Sequence, residues 1–323
     1  MQNTLMNPDL NAPFKVSPSG QQLALLAACG AGVLWGTGAI VVNVLIARYQ
    51  LSPASISFWR FLVGGAFLLA VYGRASLWKK VWPQFGLLIA SGTCMAFYVL
   101  FWFLGIEQLG AAIPTLIALC LPPVLVTFVA VIRKQMQLDF PLTLILLTAI
   151  AGTVLIVWKH NAGLPTSTSA DAATSATKKM VLGLAYSVAS AILYALFTSV
   201  SGRLSTSLGA GQSATCLTLV AACAMGLMGL VRPIELPRHV EPEAWLLYLG
   251  LVTAALALFV FSWGAARLNA TALTVATLCE PLTAVGLSSL ILGEHMSSWQ
   301  WLGAILLLIS IFGLGRRMSL GRT

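Results

Sequence analysis

A chain of 323 residues with 59% hydrophobic side chains, 8% charged side chains and a mean hydropathy of +0.91 is not an ordinary soluble domain, in which about a quarter of residues carry charge. Its net charge of +9 comes from basic residues scattered through short polar stretches, which excludes a nucleic-acid-binding face. Apolar runs long enough to cross a hydrocarbon core of about 30 Å recur along the whole length, so the composition reads as an all-α polytopic membrane protein.

Taken in chain order, a polar tail over residues 1–21 leads without a cleavable signal pattern into a first span at 22–46. That span carries Trp35 and four glycines, Gly30, Gly32, Gly36 and Gly38, which allow close helix approach. A second span at 54–72 contains Arg60, and a third at 83–104 places Tyr98 and Trp102 on one helical face. The fourth, 110–132, holds Pro114, Pro122 and Pro123, and the fifth covers 140–158. Residues 159–179 form a linker of small and polar residues with no hydrophobic pattern. Beyond it lie spans at 180–201 with Tyr194, 211–231, 244–266 with Trp263, 270–292 and 299–315, then a basic tail at 316–323. All six cysteines fall inside spans with no CxxC spacing, and read as packing residues and not as disulfides or metal ligands.

The linker divides the chain into two alike halves. A shift of 159 residues aligns Gly105 with Gly264, Leu109 with Leu268, Ala111 with Ala270, Thr115 with Thr274, Cys120 with Cys279 and Pro122 with Pro281. The same shift, without a gap, pairs Trp35 with Tyr194 and Leu87–Leu88 with Leu246–Leu247. The expected architecture is therefore ten transmembrane helices in two five-helix repeats, 22–158 and 180–315. Five is odd, so the second repeat enters the membrane inverted. Placing both termini in the cytoplasm puts eleven Lys and Arg inside against six outside, as the positive-inside rule favours.

The ninth span raises the central question, because Glu280 lies at its middle, beside Pro281. Its counterpart under the shift is Leu121, so helix packing at this place does not require an acid. Thr271, Thr274, Thr277 and Thr283 share a polar stripe with it. Either Glu280 lines a central cavity, where it would meet a cationic group or a proton, or it is a packing acid tied to Arg60. A carboxylate without a partner at that depth is expected to be protonated. Arg60 has three readings: an anchor reaching the interface, a partner for a carboxylate, or a contact for a substrate carboxyl group. Glu294 and His295 cap the end of the ninth span or act as a gate or proton relay. Trp35, Tyr194, Tyr98, Trp102 and Trp263 are candidate cavity walls, with interfacial packing as the alternative. Pro122 and Pro281 are expected to interrupt helices four and nine at symmetric places and free carbonyls there.

Glu280–Pro281, Gly293–Glu294, Trp301 and Gly303, with the arginine-bearing stretch Phe58–Leu69 and the small-residue stretch Gly32–Ile40, resemble the EamA-type transporters of the drug/metabolite transporter superfamily. The first repeat departs from that pattern, having Arg133–Phe140 where the family often has a Gly-Glu pair. The resemblance implies ten helices in two inverted repeats and secondary transport of a small metabolite across the inner membrane by alternating access. It implies no cofactor and no ATPase subunit; protons would be a coupling ion if Glu280 is a proton site, which is one of its readings above. An amino acid or related compound is the expected substrate. The alternative is an organic cation or quaternary ammonium compound held by Glu280 and an aromatic cage. A membrane enzyme would need a polar catalytic cluster and a channel a symmetric polar lining; neither pattern is present in the sequence.

Overall fold

The computed structural model describes residues 18–73, 80–109, 112–134, 139–157, 170–231, 233–235, 240–292 and 297–319. Among these residues all regular secondary structure is helical. Backbone polar groups in lipid must be satisfied within the segment that carries them, and helices do so. The first half comprises α1 (Pro18–Ala47), α2 (Pro53–Tyr72), α3 (Phe85–Leu109), α4 (Ala112–Ile132) and α5 (Phe140–Val157). The second comprises α6 (Ala170–Leu208), α7 (Ala210–Met228), α8 (Val240–Ala265), α9 (Ala270–Ala276), α10 (Cys279–Leu292) and α11 (Ser298–Ser319). Six of the helical stretches, those of α1, α2, α3, α6, α7 and α8, are long and apolar enough to cross a membrane. Shorter apolar stretches lie in α4, α5 and α11.

Local chemistry fixes several helix starts. The Ser52 hydroxyl accepts from the Ser55 amide at 3.3 Å ahead of Pro53, which needs no donor partner at that position. Asp139 accepts from the Leu142 amide at 3.0 Å to open α5, and Asn269 from the Ala272 amide at 2.8 Å to open α9. The polar linker is shorter than its composition suggests, because α6 reaches back to Ala170. The added turns are rich in alanine and continue a helix already nucleated by its apolar portion.

Helix packing follows the 159-residue shift. α1 packs on α8 and α10, while α6, its counterpart, packs on α3 and α4. α2 packs on its own counterpart α7, and α5 on its counterpart α11. The correspondence extends to single residues. Gly264 lies against Ala28, and their counterparts Gly105 and Ser187 also meet. The core lies where α1, α3, α6 and α8 come together, around fully buried Phe103, Phe197 and Phe261.

Two features break this correspondence. α8 contains eight residues of π-helix, Leu249–Leu256, whereas α3 is α-helical throughout. The span matching α4 is divided into α9 and α10 by a turn at Thr277 and Leu278. α4 itself runs unbroken through Pro122 and Pro123, so the expected symmetric interruption occurs in one half only. Glu294 and His295 lie outside the described residues.

Candidate functional site

The break explains how a carboxylate is accommodated within an apolar span. Pro281 has no amide hydrogen, so the Thr277 carbonyl lacks its α-helical donor. The Glu280 amide donates to that carbonyl instead, at 2.9 Å, closing a tighter turn. Glu280 consequently occupies the first turn of the 14-residue helix α10. The free amides and dipole of a helix N-terminus favour a negative charge by roughly 0.3–1 kcal/mol, and up to about 2 kcal/mol in a partly buried site. That offsets part of the cost of a central acid in a membrane helix, about 3 kcal/mol on insertion scales. Leu121 lies within an unbroken helix and has no such compensation.

Glycines of α1 seat this turn. A Cβ at Gly32 would lie 2.8 Å from the Thr277 carbonyl oxygen and 3.2 Å from the Glu280 nitrogen. At Gly36 it would lie 2.5 Å from the Glu280 carbonyl oxygen and 2.7 Å from the Thr283 Cβ. The glycine pair thus places the backbone of α1 directly against the helix break.

Glu280 lines a cavity of about 30 Å³ with Trp35 of α1, Arg60 of α2, Tyr98 and Trp102 of α3, and Tyr194 of α6. Such a volume holds about two waters. Trp35, Phe261, Phe197, Tyr194 and Tyr98 form a continuous chain of rings, with centroids 5.0 to 6.4 Å apart at successive steps. Hydrogen bonds fix the walls: Trp102 donates to the Thr115 hydroxyl at 3.1 Å, and Ser190 to the Tyr98 carbonyl at 2.8 Å. Tyr194 and Thr277 share a hydrogen bond of 3.1 Å, which ties the ring wall to the helix break. The proline pair removes the amide donors for the carbonyls of Ala118 and Leu119, and both residues line the cavity.

The π-helical segment supplies a further polar group. Its last wide turn joins the Ala257 amide to the Val252 carbonyl, so the Thr253 carbonyl falls where the spacing returns to α. One carbonyl is left over at such a changeover. That of Thr253 accepts from the Trp35 indole at 2.9 Å and from Arg60 Nη2 at 3.4 Å. Arg60 is 6% exposed, and its Nε has no partner. Glu280 is 5% exposed. The ion pair observed among the described residues is Arg48–Glu241 at 3.6 Å; Arg60 and Glu280 do not come within 4.0 Å of one another. An acid and a base therefore face one aromatic cavity without forming an ion pair with each other.

The remaining sequence candidates lie elsewhere. Trp263 does not line the central cavity but a second pocket of about 280 Å³, with Ser205, Gly209 and Arg267. Arg267 stacks on its ring at 3.9 Å and donates to its carbonyl at 2.9 Å. Thr283 faces Gly36 and donates to the Cys279 carbonyl at 2.8 Å, and Thr277 stands one hydrogen bond behind the cavity wall. Pro122 and Pro281 are buried within the helices they shape. Residue chemistry gave no sign of Ser190 or the Thr253 carbonyl, because one is a common small residue and the other a backbone group exposed only by helix register.

Known proteins place the chain. The EamA-like transporter family model matches residues 22–158 and again 181–316. The "Uncharacterized transporter YwfM" of Bacillus subtilis is 26% identical over 286 residues, 87% of this chain and 90% of that protein. The "Uncharacterized inner membrane transporter YicL" of Salmonella typhimurium is 28% identical over 297 residues, 87% of this chain and 91% of that protein. A crystal structure with 19% identity superposes with a TM-score of 0.73, covering 91% of this chain and 98% of its own, and shares the fold. The similar proteins are named as transporters and not as enzymes. With both halves matched by one family model, the chain belongs to the EamA-like transporter family of membrane transporters.

Proposed function

We propose that this transporter carries a small zwitterion, an amino acid or related compound, by alternating access between two inverted five-helix repeats, ten spans in all, with both termini in the cytoplasm. The observation that carries the reading is the presence of Arg60 and Glu280, buried and not paired, on one aromatic cavity. A substrate carboxylate would answer the free donors of Arg60, and its ammonium group would answer Glu280. The rings of Tyr98 and Trp102 would take an apolar side chain. An organic cation would satisfy Glu280 and the rings but would leave Arg60 repelled in the same cavity, which favours the zwitterion over the quaternary ammonium alternative. A volume of about 30 Å³ is smaller than an amino acid, so the cavity must widen for loading. Glu280 is the acid on the cavity lining and the group to which proton coupling would fall.

Thermal shift of the purified protein tests the charge pattern. Leucine is expected to stabilise it, whereas leucinamide and isopentylamine, which lack the carboxylate, and tetramethylammonium are expected to have no effect. Stabilisation by the amines or by tetramethylammonium, with none by leucine, would overturn the reading.

A further inference from the structure

Cys29 on α1 and Cys279 at the start of α10 are electrostatic neighbours across the packed α1–α10 contact. The two backbones meet at this level. A Cβ at Gly32, three residues after Cys29, would lie 2.8 Å from the Thr277 carbonyl oxygen and 3.2 Å from the Glu280 nitrogen, on either side of Cys279. A disulfide needs Cα atoms about 4.4–6.8 Å apart, a spacing that backbones in direct contact allow. Both cysteines are partly buried and neither carries a disulfide. The second half has no equivalent pair, because the 159-residue shift places Val188 opposite Cys29. Like Glu280, the pair is an asymmetric addition to the repeated frame.

We propose that Cys29 and Cys279 form a redox site, in which oxidation joins them by a disulfide that ties α1 to the first turn of α10 and fixes the helix break carrying Glu280. The oxidant is a small uncharged peroxide, hydrogen peroxide in the simplest case. Cys279 stands at the first position of α10, and its thiol is the one taken to react first. Its sulfur attacks one peroxide oxygen and becomes a sulfenic acid; the departing hydroxide takes up the proton shed by the thiol and leaves as water. The Cys29 sulfur then attacks the sulfenic sulfur, and its proton leaves with the displaced hydroxide as a second water. Two thiols and one peroxide thus give one disulfide and two waters. A reducing thiol reverses the bond by exchange.

The site is tested on the full-length protein in lipid nanodiscs, without substrate, so the outcome is separate from the transport reading. After hydrogen peroxide treatment, mass spectrometry of a non-reduced digest is expected to show the peptides containing Cys29 and Cys279 linked, two hydrogens lighter than their sum. Amide hydrogen exchange between Thr277 and Thr283 is expected to slow at least fivefold and to recover with dithiothreitol. Cys29→Ser and Cys279→Ala are expected to abolish both effects. The comparison of oxidised and reduced wild type stands even if a variant folds poorly. Absence of the linked peptides, while Cys94 or Cys216 is oxidised, would overturn the site. Linked peptides with unchanged exchange would overturn the clamp.

Discussion

At the residue scale, the charge on Glu280 separates two accounts of its presence. Were it the partner of Arg60 in a buried ion pair, neutralising it would strand the guanidinium at a cost of about 3–5 kcal/mol. The two groups do not come within ion-pair distance, so Glu280→Gln is expected to leave the melting temperature unchanged or raise it. The same variant is expected to weaken leucine binding at least tenfold by isothermal titration. A fall in melting temperature of several degrees with binding intact would assign Glu280 to packing. Trp35 has separable roles, because its ring packs on Phe261 at 5.3 Å while its indole N–H serves the Thr253 carbonyl. Trp35→Phe keeps the ring and removes one hydrogen bond, so a loss of about 1 kcal/mol is expected in an unfolding titration; Trp35→Ala should lose about 3–5 kcal/mol. The tryptophans, tyrosines and lone charges stood out in an apolar sequence, and Trp35, Arg60, Tyr98, Trp102, Tyr194 and Glu280 line one cavity. Trp263 stood out equally and lies on another pocket. Residue type marks a side chain as costly to leave in lipid; it does not say which neighbours it meets.

At the element scale, the glycines of α1 are not equivalent. Gly36 lies under the first turn of α10, where a Cβ would meet the Glu280 carbonyl oxygen at 2.5 Å. Gly30 has nothing within 4 Å of that position. Gly36→Ala is therefore expected to destabilise by about 1–3 kcal/mol, since backbone cannot yield as a side chain can. Gly30→Ala should be neutral or stabilising by up to about 1 kcal/mol through helix propensity. Parallel unfolding titrations check the pair, and equal effects would remove the glycines from the seating of the break. The sequence shows the G-x-x-x-G spacing and the proline beside Glu280, both read there as close-packing and kinking elements. It does not show that α4 tolerates Pro122 and Pro123 while the ninth span divides. Each proline removes one donor in either helix. The different outcome reflects the contacts available around each, including the backbone of α1 against Thr277 and Glu280.

At the scale of the whole molecule, the arrangement is a repeated frame with unlike centres. Gly105 with Ser187 and Gly264 with Ala28 show the frame, whereas Glu280 opposite Leu121 shows the departure. The inversion proposed for the second repeat would put the termini on one side and the linker on the other. Reporter fusions are expected to be cytoplasmic after residue 323 and external within 159–169; the same side for both would reject the inversion. Leu121→Glu asks whether the centres could be exchanged. With no helix N-terminus at that place, a loss of about 3 kcal/mol is expected in the unfolding titration, and a neutral result would deny the break its role in holding Glu280.

Composition alone determined that this chain belongs in a membrane as helices, because apolar runs of that length leave the backbone no other way to satisfy its polar groups. Internal similarity alone supplied the repeat and singled out Glu280 as its exception. Tertiary structure decided which side chains share a cavity, since helices apolar around most of their circumference carry little periodicity to say which face turns inward. It also decided the two backbone events on which the site rests, the turn at Thr277–Leu278 and the leftover carbonyl of Thr253. Both are choices of hydrogen-bond register, and register is settled by the neighbours a helix packs against as well as by its own residues.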